Sequence, residues 1–147
     1  MTRRTAREIV VHTVYAMDFT QELPELIDER VSPSFFERLA GEDGLFDEPP
    51  DQEAARYIKS VAEGVCAHLA ELDGYIEKHA SGWTVGRISR VAVAIMRVCM
   101  YEALYRPDIP LSAAINAAVE ICKKYEEQET AAFVNGILGS FARGELV

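Results

Sequence analysis

Cysteine is scarce in this 147-residue chain: only Cys66, Cys99 and Cys122 occur, with no CxxC spacing. That pattern excludes both a disulfide framework and a zinc knuckle. Histidine is as sparse, at three residues, so a metal site would need carboxylates to join it. Cys66 and His68 stand two apart on a helical pattern, so they point to different faces and cannot chelate together. No apolar run reaches the roughly 18 residues of a membrane span, because Arg90, Arg97 and Glu102 break the most apolar segment. The N-terminus lacks the continuous apolar stretch of a signal peptide, since Glu8 and Asp18 interrupt it. No glycine-rich phosphate loop precedes a basic residue, and Gly136-Ile137-Leu138-Gly139-Ser140 lies within a helical pattern rather than after a strand. The paired acids Glu126-Glu127 read as a solvated loop. The expectation is a cytoplasmic protein, not an enzyme, with no metal, no cofactor and no membrane segment.

What is present fits one domain, or two small lobes, with 49% apolar and 27% charged residues. The net charge of −9 is unevenly spread. Residues 21–53 hold eleven acids against two bases, Arg30 and Arg38, while the remainder balances thirteen against thirteen. An anion-binding patch therefore remains open despite the overall sign, because charges are screened over about 8 Å at cellular salt.

Four or five segments carry helical periodicity and none alternates like a strand, which predicts an all-α fold. The first runs from Thr5 to about Phe19 through Ala6, Ile9, Val10, Val14 and Met17, with Thr2 or Thr5 as cap. A short helix is expected at 33–40, with proline in its first turn. The run Gly41–Asp51 reads as a mobile surface loop. Asp51 caps one long helix to about His79, and a further helix spans Val85 to Tyr105. The stripe Leu111, Ala114, Ile115, Ala118, Val119, Cys122, Tyr125 is the clearest of all, and a last helix carries Phe133, Val134, Ile137, Leu138 and Phe141. The cysteines fall on or beside apolar ridges, as small hydrophobes do. Arg97 and Glu102 are expected to be paired or snorkelling at the core edge. Trp83 is expected to anchor the turn between two helices, and His79 to sit at a helix C-terminus, where partial positive charge is favourable.

Two clusters point to nucleic acid. The arm Arg3-Arg4-x-x-Arg7 leads into a helix on which Arg7, Val11 and Tyr15 share a face. Arginines grip phosphates with forked donors, and a ring offers a platform for an unpaired base. The plain alternative is a frayed terminus with Tyr15 as packing surface. The second cluster is Lys123-Lys124-Tyr125, followed by Phe133-Val134-Asn135-Gly136. Lysines at a helix C-terminus also suit the dipole without a ligand. Gly136 inside a helix is locally unfavourable by about 1 kcal/mol, which points to a close helix approach there and a hydrogen bond from the Asn135 amide.

These residues together resemble the NusB family of bacterial transcription antitermination factors. The resemblance rests on Arg3-Arg4-x-Ala6-Arg7-Glu8 with Tyr15, the run Arg97-Val98-Cys99-Met100-Tyr101-Glu102, and Asp108-Ile109-Pro110. It continues through Ala114-Ile115-Asn116-x-Ala118-Val119-Glu120, Lys123-Lys124-Tyr125 and Phe133-Val134-Asn135-Gly136-Ile137-Leu138. It covers residues 3–19 and about 70–142; the acidic segment 21–53 is variable. The resemblance implies a single RNA-binding domain over 1–147, built as about seven helices in two small bundles that share the long middle helices. It implies binding of single-stranded boxA RNA from ribosomal RNA leader transcripts together with NusE, a ribosomal small-subunit protein, in an RNA polymerase elongation complex. Carried over by position, the RNA contacts are Arg3, Arg4, Arg7, Tyr15, Lys124, Tyr125 and Phe133, and the NusE surface lies around Gly86 to Val93, with Arg87 and Arg90.

The chain departs from the family at His12, where glutamine is frequent, at Ala117, where glutamate is frequent, and at Gly86 and Ala92, where acids are expected on the NusE surface. Reversed charge there favours a weakened contact or a co-varied partner. Two other readings keep the fold. One is the N-terminal part of a ribosomal RNA cytosine methyltransferase, for which no methyl-donor loop is present. The other is a protein-only adaptor or homodimer that has lost RNA binding.

Overall fold

The computed structural model describes residues 1–40 and 48–146. Most of the loop expected at Gly41–Asp51 lies outside the described residues. Among the described residues there are eight α-helices and no strand: α1 Arg3–Ala16, α2 Leu23–Arg30, α3 Pro33–Arg38, α4 Gln52–Ala67, α5 Leu69–His79, α6 Arg90–Tyr105, α7 Leu111–Tyr125 and α8 Gln128–Glu145. The all-α expectation holds, with eight helices in place of about seven. No helix among them is long and apolar enough to cross a membrane. The chain divides into two compact units, Met1–Cys66 and Ala67–Val147.

In the first unit α1 starts where Thr2 Oγ1 accepts a hydrogen bond from the Thr5 amide at 3.1 Å, one of the two caps expected. It runs on into a 3₁₀ turn at Met17–Phe19. The apolar positions read from the sequence are all buried, but so are Arg7, Glu8 and Thr13, so α1 is enclosed on most sides rather than on one stripe. The Thr13 hydroxyl is fully buried and has no hydrogen-bond partner among the described residues. The helix α2 is absent from the sequence reading because Pro24 resembles a break. Pro24 instead lies in the first turn, where the missing N–H costs nothing. Ser32 caps α3 by accepting from the Phe35 amide at 3.3 Å. The Phe35 ring lies 5.0 Å from the Arg30 guanidinium carbon and 5.5 Å from that of Arg38, so the two bases of the acidic segment share one aromatic partner.

Asp51 does cap α4: its Oδ1 accepts from the Ala54 amide at 2.8 Å. The expected long helix to His79 is broken, however. His68 leaves helical geometry at φ −122°, ψ 20°, which separates α4 from α5. The break falls beside the unit boundary, so α4 lies in the first unit save for Ala67, and α5 lies in the second. No single middle helix is common to both.

The second unit is built around α6. Every residue from Ala92 to Met100 is buried, as an all-round apolar helix must be, with α5, α7 and α8 packed against it. Ala92 therefore belongs to the core, and the surface position expected for it is corrected by its complete burial. Arg97, 4% exposed, donates Nε to Asp73 Oδ1 at 2.7 Å and Nη2 to Oδ2 at 2.8 Å, a forked pair that fastens α6 to α5. That is the pairing expected of it. The close approach expected at Gly136 is not there: Gly136 is exposed, and a Cβ on it would meet nothing within 4 Å. The tight glycine is Gly144, where a Cβ would stand 2.9 Å from His79 Cε1.

Candidate nucleic-acid interface

The N-terminal arm is tied down at its root. The Arg3 guanidinium carbon lies 4.0 Å from the centroid of the Tyr57 ring on α4, and the terminal ammonium stands 4.0 Å from Asp51 Oδ2. Both contacts line a polar recess of about 180 Å³ that includes Thr2, Ala6 and Glu53. Arg3 and Arg4 are exposed, whereas Arg7 is buried at 7% exposure. Periodicity places Arg7, Val11 and Tyr15 on one face, but the fold covers Arg7 and Val11 and leaves Tyr15 open. The outward cations of this segment are thus Arg3 and Arg4. Tyr15 has a neighbour overlooked in the sequence: Phe19, 67% exposed, with its ring centroid 5.1 Å from that of Tyr15. Its signal was legible, an aromatic four residues on at the polar end of a helix.

In the second unit the connection from α5 to α6 carries the other clusters. Ser81 and Gly82 adopt left-handed φ values of 48° and 93°, turning the chain sharply after α5. Trp83 follows, half exposed, its ring edge-to-face with Phe133 of α8 at 5.9 Å. A 3₁₀ turn at Val85–Arg87 comes next, its first amide donating to Glu77 Oε2 at 2.8 Å. Ser89 caps α6 by accepting from the Ala92 amide, and its hydroxyl donates to the Glu126 carboxylate just beyond α7. Glu126 is therefore engaged with the start of α6 rather than lying in a solvated loop. This bond joins the segment of Arg87 and Arg90 to the segment of Lys124 and Tyr125, which the sequence had assigned to different partners. Arg87, Arg90, Lys123, Lys124 and Tyr125 are exposed, and the Lys124 ammonium lies 5.4 Å from the Tyr125 ring. Phe133 is half-buried.

His79, expected at a helix end with only a dipole to satisfy, is part of a half-buried polar cluster. Its Nδ1 is 2.8 Å from Ser140 Oγ and its Nε2 is 2.7 Å from Glu145 Oε2. Lys78 Nζ stands 2.8 Å from the same Glu145 oxygen. Hydrogen bonds from Lys78 and then His79 hold the Glu145 carboxyl below its ordinary range. Ser140 sits inside α8, so no turn presents its hydroxyl and no backbone amides converge on it as an oxyanion site requires. The cluster fastens the end of α8 to α5. Burial pushes the Cys122 thiol up to about 11, so it carries a proton at neutral pH. Among the described residues no three His, Cys, Asp or Glu side chains gather as a metal site.

Residues 4–143 match the family model described as the NusB family. The chain belongs to the NusB family. The transcription antitermination protein NusB of Ruminiclostridium cellulolyticum is 36% identical over 146 residues, covering 99% of this chain and 92% of the relative. The solved structure of T. maritima NusB matches with a TM-score of 0.80 at 25% identity, covering 98% of this chain and 92% of that one. A NusB structure determined with NusE and dsRNA matches with a TM-score of 0.75 at 23% identity, covering 96% of each chain, and bears on the NusB fold alone.

Proposed function

We propose that this protein is a transcription antitermination factor that binds single-stranded boxA RNA of ribosomal RNA leader transcripts together with NusE, within an RNA polymerase elongation complex. The observation that carries the reading is the pairing of exposed cations with open or half-buried rings in a chain whose residues 4–143 match the NusB family. Arg3, Arg4 and Tyr15 supply one such set, and Lys124, Tyr125 and Phe133 supply the other. Relatives named as transcription antitermination protein NusB support the antitermination part of this reading.

The work done is binding, not turnover. Guanidinium and ammonium groups release counterions from phosphates, while rings stack on bases that a single strand leaves open. Arg7, being buried, acts on this site by holding α1 in place rather than by a surface phosphate contact. Arg87 and Arg90 are assigned to the NusE side, where the exposed Gly86 leaves cations dominant and calls for an acidic partner surface.

A labelled boxA-like RNA, with a scrambled control, titrated at several salt concentrations with and without cognate NusE, tests the proposal. About three to five phosphate contacts predict a log–log salt slope near −2 to −4. Selective binding strengthened by NusE is the expected outcome. Absence of selectivity in both conditions sinks the reading and favours the protein-only adaptor or homodimer, which sedimentation then measures directly.

A further inference from the structure

Half of the surface of Trp83 is open to solvent, although nothing in its setting is loose. The preceding left-handed pair Ser81-Gly82 fixes the direction of the chain, and the Trp83 amide donates to the Ala80 carbonyl at 3.3 Å. After it, the Arg87 amide donates to the Thr84 carbonyl at 2.9 Å, and Glu77 holds Val85. The indole itself is braced edge-to-face on Phe133. The groove of the second unit, about 560 Å³ along α7 and α8 with Ile115, Asn116 and Asn135 in its wall, does not include Trp83.

The surroundings of the indole face select the occupant. Arg87 and Arg90 lie on the same connection, and the Ser89–Glu126 bond ties it to the turn carrying Lys123 and Lys124. The acids Glu77 and Glu126 accept from Val85 and Ser89 and keep their charge, and Glu127 and Glu129 are exposed at the start of α8. The Phe133 ring on which Trp83 rests belongs to the RNA set proposed above, so the exposed indole extends that set with a face on which an unpaired nucleobase stacks.

We propose that Trp83, braced by Phe133, is a nucleobase-stacking residue of this protein. The proposal rests on the RNA-binding reading above and extends it to a residue that reading does not use.

Trp83 is the sole tryptophan of the chain, so the unmodified protein carries its own reporter. The full chain is titrated with labelled single-stranded boxA-like RNA while RNA anisotropy and tryptophan emission are followed together. Emission is expected to be quenched with the same midpoint as the anisotropy change. Trp83→Ala should weaken RNA binding about ten-fold, and Trp83→Phe less, with unchanged far-UV circular dichroism. RNA that binds by anisotropy while emission stays constant overturns the stacking role and leaves the RNA reading intact. That outcome is read on the native protein, so a variant that fails to fold does not obscure it. RNA that fails to bind by either signal overturns both.

Discussion

The two units of this chain hold themselves together differently. Ala67–Val147 is cross-linked between distant helices: Arg97 to Asp73, His79 to Ser140 and Glu145, and Ser89 to Glu126, all around an α6 buried on every side. In Met1–Cys66 local caps at Thr2, Ser32 and Asp51 set the helix starts and two arginines share Phe35, while Arg3 on Tyr57 and the terminal ammonium beside Asp51 reach across the chain. Polar groups between distant helices fix their register, whereas caps only fix where each helix begins. The exposed cations Arg87 and Arg90 of the second unit thus flank a braced frame, while Arg3 and Arg4 of the first extend from a helix end held at its root.

The largest expected effect breaks the cross-linked unit. Asp73→Ala leaves the buried Arg97 guanidinium without its forked partner and should lower unfolding stability by about 2 to 3 kcal/mol in urea denaturation. A loss below about 0.5 kcal/mol would show that the pair does not fasten α5 to α6. Gly144→Ala forces a Cβ against the His79 ring, which Ser140 and Glu145 hold in place, and should cost about 1 to 2 kcal/mol. Gly136→Ala, in open space within the same helix, should instead stabilise by about 0.5 to 1 kcal/mol. Thermal melts of the two variants therefore move in opposite directions.

In the first unit, Thr13→Val removes a buried hydroxyl that has no partner among the described residues while keeping its shape. It should raise stability by about 1 kcal/mol, and a loss would mean the hydroxyl is bonded in solution. The smallest effect concerns pH. Because Lys78 and His79 depress the folded Glu145 value, its contribution is present above the ordinary carboxyl value of 4.5 and is lost as pH falls through the lowered folded value. Glu145→Gln should flatten that part of the acid-unfolding curve and leave a native-like slope above it.

The helical class, the bounds of α7 and the buried ridges of α1, α4 and α6 were legible because each depends on local periodicity. The break at His68 was not, since the apolar spacing continues through it and no glycine or proline lies within three residues of it. Pro24 misled for the opposite reason, being a helix starter that resembles a helix breaker. Among the site residues, the types were legible but their covering was not. Arg7 and Arg4 look alike in sequence, yet one is enclosed and the other exposed, because burial of a helix face depends on what lies against it. Ala92 and Gly136 show the same limit in reverse, one a supposed surface position that is core, the other a supposed contact that is surface.

The enclosure of α6 has a consequence for synthesis. It is the most apolar of the helices, and two of the three that cover it, α7 and α8, follow it along the chain. As the polypeptide leaves the ribosome, the span Ala92–Met100 emerges before residues 111–145 can shield it. For that interval the nascent chain displays the apolar surface on which aggregation and chaperone capture act. A translational pause after Glu145 would lengthen that exposure, because α6 has then left the exit tunnel while α7 and α8 are still inside it, whereas a pause shortly after Tyr105 would keep α6 within the tunnel.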